Sequence, residues 1–216
     1  DKRKSVARRR SSRGLGCSVL WMAILLAVVL SYLSGSVPFG LVFAKLRRVD
    51  LRAVGSGNIG ATNAASALGK GYGALVLVLD ALKATIPVLV AQHCFAQHPD
   101  KEWISAAVAL AAFVGHLLPV FAGFAGGKGV ATALGCFVAL APLPAVLGFV
   151  SWAVLFGLTR ISSVGSLGAV LLFPLWLYLF HSSLPVYVLA GVFLLLILIR
   201  HRGNIARLWN KTEQRL

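Results

Sequence analysis

The sequence predicts an all-α integral membrane protein with seven transmembrane helices, several of them short, and polar glycine-rich loops on the cytoplasmic side. Two features of the composition carry this prediction: 58% of the residues are hydrophobic and only 12% are charged. Soluble domains carry about 25% charged residues, whereas a membrane helix needs a run of about 20 mostly apolar residues. Apolar runs occupy most of the 216 residues, so we expect one membrane domain and no additional soluble domain.

Seven apolar segments follow one another along the chain, at residues 19–44, 71–95, 103–122, 129–140, 142–159, 161–181 and 184–200. The fourth and fifth are short for a full span and meet at Pro142. Because proline either ends or kinks a helix, this stretch predicts two short tilted helices or one bent helix. The charge pattern favours two helices.

Lys and Arg follow the first, third, fifth and seventh segments, and the other segment ends carry no positive excess. Loops rich in Lys and Arg stay in the cytoplasm, so the pattern places the C-terminus and the polar loops there. The seven Lys and Arg residues within residues 1–13 contradict this orientation. We therefore interpret residues 1–21 as a basic extension, either native or foreign to the protein, and residues 22–216 as a single membrane domain.

A net charge of +15 would also be compatible with nucleic-acid binding. The cations cluster beside apolar segments, however, where they orient helices and attract anionic headgroups. We expect membrane lipids and no nucleic acid as partners. The three cysteines show no metal-ligand spacing, so we expect no metal and no cofactor.

The most informative polar stretch is residues 55–63, in which every residue but one is small or polar. It consists of Gly55, Ser56, Gly57, Asn58, Ile59, Gly60, Ala61, Thr62 and Asn63. Glycine lets the backbone turn N–H groups toward an anion, and hydroxyl and amide side chains add donors. A simple turn needs only two or three such residues, so the stretch predicts an anion site. We expect a short interfacial helix to follow it, reaching Gly69, with its N-terminus toward the anion.

A second polar motif comprises Gly126, Gly127, Lys128 and Gly129. It is not a Walker A loop, because the first Gly and the Ser or Thr after Lys are missing. Alone it is equally typical of a flexible turn. Its place after a helix that contains His116 favours irregular backbone lining a polar cavity. An intramembrane His is either a hydrogen-bonding group between helices or a functional group, and both remain open.

Two further pairs have helical i, i+3 spacing. His201 and Asn204 share one face at the end of the last apolar segment, and snorkelling of the neighbouring arginines does not explain them. Asp80 and Lys83 lie within the second segment. A single charge in lipid is costly, so we predict that this second pair is a structural ion pair.

Together these motifs resemble the bacterial acyl-phosphate:glycerol-3-phosphate acyltransferase family of the PlsY type. The resemblance runs from about Met22 to the C-terminus. It covers residues 32–40, 50–52, 55–63, 115–116, 119–121, 126–132 and 201–213. The chain has no His followed five residues later by Asp, the general-base motif of the common soluble-facing acyltransferases. It also has no Asp-rich magnesium-diphosphate motif.

The resemblance implies a multi-pass protein of the bacterial inner membrane with a cytoplasmic active site, and we expect a monomer. It implies transfer of an acyl group from acyl-phosphate to the 1-hydroxyl of glycerol-3-phosphate, giving lysophosphatidic acid, without acyl-CoA. Ser56, His201 and Asn204 would be catalytic and Glu213 structural. The substrate-binding residues would be Arg52, Gly55, Gly57, Asn58, Gly60, Thr62, Asn63, His116, Gly126, Gly127, Lys128, Gly129 and Ser163.

Acyl-phosphate is already activated, so we expect the site to supply proximity, oxyanion donors and a proton acceptor. A substrate phosphate oxygen or His201 could take the hydroxyl proton.

Two residues depart from the family pattern. The family usually carries Arg where this chain has Ser66 and Lys where it has Ala125. Losing a charge-assisted hydrogen bond to a phosphate costs about 1.5–3 kcal/mol. The alternative function is therefore a weak or silent homologue that binds phosphate or lipid, unless Arg52 and Lys70 replace the missing cations. A transporter is a third class, but the sequence shows no inverted repeat.

Overall fold

The structure is a computed structural model that describes the backbone of residues 2–215 and the side chains of residues 18–215. Most of the extension predicted at residues 1–21 lies outside the described side chains. Within the described range the chain is helical, without strands. The helices are α1 Lys2–Gly35, α2 Phe39–Leu46, α3 Ala61–Leu68, α4 Lys70–Cys94, α5 Lys101–Leu117, a 3-10 turn Val120–Ala122, α6 Val130–Leu140, α7 Pro142–Thr159, α8 Ser162–Leu179, α9 Leu184–Arg200 and α10 Arg202–Trp209.

In the described part of the chain, five helical segments are long and apolar enough to cross a bilayer. They are Ser18–Leu46, Lys70–Cys94, Lys101–Ala122, Pro142–Thr159 and Ser162–Leu179. Helices α9 and α10 meet the same criterion together but are bent by 59° where they join. Helix α6 is apolar but has only 11 residues. The protein is thus an all-helical membrane protein with five or six candidate spans, and the count of seven stays a prediction.

Prolines set two of the helix boundaries. Helix α6 ends at Leu140 and α7 begins at Pro142, so the fourth and fifth apolar segments form two helices, as the charge pattern favoured. Pro38 divides the first apolar segment into α1 and α2, a break that the sequence analysis did not predict. Proline is tolerated here because it stands just before the first turn of α2, where its missing N–H has no helical partner to lose.

Glycines bring pairs of helices into backbone contact. A Cβ at Gly35 of α1 would overlap the carbonyl of Ala112 of α5, and one at Gly115 would overlap the carbonyl of Tyr32. Small residues are typical of such interfaces in membranes, since association there depends on close packing and not on the hydrophobic effect. Ser31 adds a hydrogen bond of 2.7 Å to the carbonyl of Val108.

An aromatic cluster joins α5, α6 and α9. The rings of Phe113 and Phe193 stack at 3.9 Å between centroids, and Phe137 meets Phe193 edge-on at 5.4 Å. Helices α7 and α8 form a hairpin beside this cluster, and Trp176 Nε1 donates to Ser151 Oγ across it at 3.1 Å. The space between the hairpin and helices α4, α6 and α9 is the cavity described below.

We predict that Gly135→Ala destabilises the protein. A Cβ at Gly135 would overlap the backbone of Ala81, which cannot move without displacing α4. Overpacking of this kind costs about 1–3 kcal/mol. The measurement is thermal unfolding of purified protein in detergent. Gly191→Ala in α9 is the control, because nothing lies within 4 Å of its added Cβ; equal melting temperatures for the two variants would contradict the prediction.

Candidate active site

A cavity of about 700 Å³ is lined by residues of helices α3 to α10, of the loop before α3 and of the C-terminal segment. Its lining is divided by chemistry. Polar groups come from the loop before α3, the glycine loop before α6, the start of α8 and the α9–α10 junction. Away from these polar groups, the residues of α7, α8 and α9 that line the cavity are mostly apolar and include Phe149, Trp152, Phe156, Phe173 and Leu194. The cavity can therefore hold a molecule with an anionic head and an apolar tail.

Asn63, near the start of α3, shapes the loop that precedes it. Its Nδ2 donates to the carbonyls of Leu51 and Val54 at 2.9 and 3.1 Å, and its Oδ1 accepts the Ser56 N–H at 3.0 Å. Gly55 has φ +59°, a left-handed conformation that favours glycine. The buried amide thus folds the loop, and the Ser56 side chain lines the cavity.

The glycine loop is held from two sides. The Gly127 N–H donates to the carbonyl of His116 at 3.2 Å, and the His116 ring packs so closely that a Cβ at Gly127 would overlap it. From the other side, the Arg200 guanidinium donates to the carbonyls of Gly126 and Gly127, the latter at 3.0 Å. Gly129 has φ +88° and ends the loop just before α6.

A hydrogen-bond network centred on Glu213 connects the polar elements. Lys128 Nζ donates to Asn204 Oδ1 at 2.6 Å, and Asn204 Nδ2 donates to Glu213 Oε1. Ser163 Oγ donates to the same carboxylate oxygen at 2.7 Å, and Arg207 Nε donates to Oε2 at 2.6 Å. The network therefore ties the glycine loop, α8, α10 and the C-terminal segment together at the cavity's polar end.

Burial and neighbouring charges shift two pKa values in this network. Burial is the main reason that the pKa of Lys128 falls to about 8; the positive charges of Arg207 and Arg200 add to the fall, and Glu213 opposes it. Burial alone would raise the pKa of Glu213, but hydrogen bonds from Asn204, Ser163 and Arg207 outweigh it and lower the pKa. Lys128 is thus a cation whose charge changes near pH 8.

His201 lies at the junction of α9 and α10. The chain bends by 59° here, so Asn204 belongs to α10 and not to the helix that the last apolar segment forms. Both side chains are still buried and line the cavity. His201 Nδ1 lies 2.9 Å from the carbonyl of Ile197. A carbonyl can only accept, so Nδ1 carries the proton and Nε2 keeps a free lone pair.

The predicted ion pair between Asp80 and Lys83 is confirmed, with 2.7 Å between Lys83 Nζ and Asp80 Oδ1. Lys83 also donates to the carbonyl of Val37 at 2.8 Å. His116 Nδ1 lies 3.8 Å from Asp80 Oδ1. Asp80 and His116 line the cavity, so the ion pair of Asp80 and Lys83 borders the site.

Most residues predicted to act on the substrate lie at the cavity. They are Ser56, Asn58, Gly60, Thr62, Asn63, His116, Lys128, Gly129, Ser163, His201 and Asn204, and Glu213 joins them. Four glycines that were also predicted to bind substrate, Gly55, Gly57, Gly126 and Gly127, are not among the residues that line the cavity. Arg52 was also predicted to bind substrate, but its guanidinium donates to the carbonyls of Ala122 and Ala125 at 3.1 and 3.0 Å. This cation therefore braces the loop instead of lining the cavity.

Three features of the site were not predicted from the sequence. Arg160 and Arg200 were read only as charges that set topology, yet Arg160 lines the cavity and Arg200 holds the glycine loop. No local pattern distinguishes them from other arginines at helix ends. The aromatic wall of α7 did carry a signal, because Phe149, Trp152 and Phe156 recur at helical spacing on one face.

Comparison with known proteins places this geometry in a family. A profile of the family described as glycerol-3-phosphate acyltransferase matches residues 25–211. The chain belongs to the glycerol-3-phosphate acyltransferase family. A glycerol-3-phosphate acyltransferase from Anaeromyxobacter dehalogenans (strain 2CP-1) is 53% identical over 193 residues, which cover 88% of this chain and 96% of the relative. The one from Aquifex aeolicus is 47% identical over 196 residues, covering 90% and 100%.

Solved structures of the family share the fold. The crystal structure of PlsY (YgiH), an integral membrane glycerol 3-phosphate acyltransferase, superposes in its glycerol 3-phosphate form with a TM-score of 0.85. It is 45% identical and is matched over 90% of this chain and 96% of its own. Its lysophosphatidic acid form gives a TM-score of 0.83 at 44% identity, over 90% and 95%. These matches confirm the resemblance that the motifs indicated.

We predict that Glu213→Gln loosens the polar end of the cavity, because a neutral amide cannot replace a carboxylate that accepts from Ser163, Asn204 and Arg207. Each lost charge-assisted bond costs about 1.5–3 kcal/mol. Hydrogen exchange of α10 should become faster, whereas Glu102→Gln, an exposed change in the first turn of α5, should leave it unaffected.

The pH dependence of this effect has a fixed sign. Since the pKa of Glu213 is lowered in the folded protein, its contribution is present above the unfolded pKa of about 4.3 and is lost as pH falls through the folded pKa. The difference between parent and Glu213→Gln should therefore shrink in strong acid. A difference that is the same at pH 7 and in acid would contradict the role of the carboxylate charge.

Proposed function

We propose that the protein transfers an acyl group from acyl-phosphate to the 1-hydroxyl of glycerol-3-phosphate and releases lysophosphatidic acid and inorganic phosphate. The observation that carries the proposal is the cavity itself, which joins a polar end with the half-buried cation Lys128 to a long apolar wall. A charged three-carbon phosphate ester fits the polar end, and an acyl chain fits the apolar wall. The names and bound forms of the PlsY structures support the glycerol-3-phosphate and lysophosphatidic acid parts of the proposal.

The phosphate ester occupies the polar end in this proposal. Lys128 Nζ supplies a cation held in place by Asn204, and the loop at residues 55–60 supplies hydroxyl, amide and backbone donors. The acyl chain lies along the apolar wall. On α8 the cavity lining extends from Ser162 to Pro174, and twelve residue steps at a rise of about 1.5 Å each give about 18 Å of wall.

The chemistry needs one displacement at the acyl carbon. The 1-hydroxyl oxygen attacks the carbonyl carbon of acyl-phosphate, a new ester C–O bond forms, and the bond from that carbon to the phosphate oxygen breaks. Phosphate leaves with the bonding electron pair. The protein aligns the two substrates in one cavity and stabilises negative charge on the carbonyl oxygen and the departing phosphate with fixed donors.

The hydroxyl proton needs an acceptor. We propose that His201 accepts it through Nε2, because Nδ1 is committed to the carbonyl of Ile197 and the side chain borders the cavity. A phosphate oxygen of a substrate is the competing acceptor. His201→Gln separates the two, since Gln keeps hydrogen-bonding capacity but cannot take up a proton: a large fall in kcat supports His201, and near-normal kcat assigns the proton to the phosphate.

The same proposal includes the setting of the enzyme. We propose a monomer in the bacterial inner membrane, with seven spans and with the cavity's polar end open to the cytoplasm. The positive charges that follow alternate apolar segments support this orientation. The short helix α6 and the bent pair of α9 and α10 are the elements that would complete the seven spans.

The direct test is transfer by purified protein in lipid nanodiscs with palmitoyl-phosphate and glycerol-3-phosphate. We expect lysophosphatidic acid and phosphate in equal amounts, and no product from palmitoyl-CoA. Ser56→Ala should lose most of the activity while keeping its melting temperature, because its hydroxyl lines the cavity and makes no hydrogen bond to the described part of the protein. Product from palmitoyl-CoA at a comparable rate would overturn the proposed donor.

We predict that affinity for glycerol-3-phosphate falls as pH rises through about 8. Lys128 binds the phosphate in its charged form, and its pKa of about 8 means that it is protonated below that pH and neutral above it. KM for glycerol-3-phosphate should therefore rise between pH 7.5 and 9.5. Lys128→Arg should remove this rise, because a guanidinium stays charged over the whole range. A parent KM that is constant to pH 9.5 would contradict the role of Lys128.

We predict that Ser66→Arg raises kcat/KM for glycerol-3-phosphate. Ser66 is exposed and lines the cavity, so a cation there faces the substrate phosphate. Ala125→Lys should give a smaller gain, because Ala125 lies beside the Arg52 guanidinium and outside the cavity lining. The double variant should exceed either single variant, and the gains should diminish at high salt through screening.

Ser66→Gln, which adds length without charge, is the control for Ser66→Arg. A double variant no better than the parent would mean that cations already present suffice. Lys70 and Arg160 line the cavity and would then fill that role, and the case for a weak or silent homologue would lose its support.

A further inference from the structure

We infer that Arg200 is a positioning residue that turns the peptide between Gly127 and Lys128 so that backbone N–H groups face the cavity and bind a substrate phosphate. The inference rests on the proposed function, because it assigns the supporting residue of the same site. It starts from the two carbonyls, of Gly126 and Gly127, that the Arg200 guanidinium binds.

The geometry of a peptide bond carries the first step. A trans peptide is planar, so its C=O and its N–H point in opposite directions. The carbonyl of Gly127 points at Arg200, and the N–H of Lys128 therefore points away from Arg200. Lys128 and Gly129 both line the cavity, which places that opposite side at the site.

The second step is that the N–H groups of the glycine loop differ in whether they have a hydrogen-bond partner. The Gly127 N–H is used by the carbonyl of His116. The N–H groups of Lys128 and Gly129, in contrast, donate to no group in the part of the protein that the structure describes. The first helical bond of α6 runs from the Ala133 N–H to the Gly129 carbonyl at 2.7 Å, so the N–H groups just before it also lack helical partners. A run of free N–H groups is a binding site for an anion.

The third step is what Arg200 alone provides. Glycines permit many backbone conformations, and an unrestrained Gly126-Gly127 pair would populate several of them. A guanidinium has five N–H donors in a fixed fork, so it can fix two consecutive carbonyls at once, which the single ammonium of Lys cannot do with the same geometry. Arg200 ends α9, one residue before His201, and so it also fixes the glycine loop relative to the proton acceptor proposed above.

The test compares Arg200→Met and Arg200→Lys with Arg202→Met in nanodiscs. Arg202 is the control because it is adjacent, equally charged and exposed. The first readout is the calorimetric affinity for two ligands that cannot react on their own. Tetradecyl phosphate is an unreactive substitute for the acyl-phosphate, and glycerol-3-phosphate is offered without an acyl donor. We expect Arg200→Met to weaken binding of one of them about tenfold or more, and the ligand affected identifies which phosphate the N–H groups hold. Arg200→Lys should be intermediate, and Arg202→Met should match the parent.

The second readout distinguishes positioning from general stability. In Arg200→Met the backbone donors lose their orientation, so kcat should fall about 10²-fold. Arg200→Lys should keep the melting temperature of the parent. The positive charge of Arg200 also depresses the pKa of Lys128, so the alkaline rise of KM should move to higher pH in Arg200→Met and not in Arg202→Met. If neither phosphate binds more weakly to either Arg200 variant than to Arg202→Met, the inference is overturned. A parent that binds neither phosphate would instead count against the proposed function and this inference together.

Discussion

The rest of the site depends on how the glycine loop is fixed in one conformation. Its backbone has little steric preference of its own, and its buried polar groups need hydrogen-bond partners. The protein supplies the partners: the carbonyl of His116 takes an N–H, and Arg200 and Arg52 take carbonyls. Lys128 then stands at the end of a braced segment, where Asn204 can hold its ammonium group. The remaining donors are left for a ligand.

Buried charge is handled in two different ways in this molecule. Asp80 and Lys83 neutralise each other at 2.7 Å, so this pair can stand deep between helices as a structural unit. The charges around Lys128 are less well balanced. Burial is the main reason that the pKa of Lys128 is lowered; Glu213, which already accepts three hydrogen bonds, opposes the fall, and the positive charges of Arg207 and Arg200 add to it. In the proposed function an incoming phosphate dianion supplies the missing negative charge, so phosphate binding and protonation of Lys128 would favour each other.

The sequence predicted the parts of the fold that follow from hydrophobicity and from glycine. It located the apolar segments, the helix after the first loop at Ala61–Leu68, and the pair of helices on either side of Ala141. It could not predict the break at Pro38, since a proline near the end of an apolar run can also begin a helix or kink one. The bend at His201 was also missed, because Arg202 and Gly203 leave the apolar period without a clear stop signal. Motifs identified most of the polar lining. The roles of Arg160 and Arg200 could not be predicted, because they depend on the fold, which brings the cavity to Arg160 and two loop carbonyls to Arg200.

The contrast between Arg52 and Arg200 shows why residue type alone does not define a phosphate site. Both are arginines near the glycine loop, and the family resemblance implied that Arg52 binds substrate. Both guanidinium groups are in fact used on loop carbonyls. A carbonyl-bound guanidinium cannot give the same donors to substrate, so its charge acts on the ligand only from behind the loop. In the proposed function the direct contacts then fall to Lys128 and to backbone N–H groups, and Lys128, whose pKa is lowered to about 8, binds the substrate phosphate in its charged form. At the glycine loop, Arg52 and Arg200 fix backbone geometry, and in the proposed function Lys128 binds the phosphate, which is the division expected from a rigid fork and a flexible point charge.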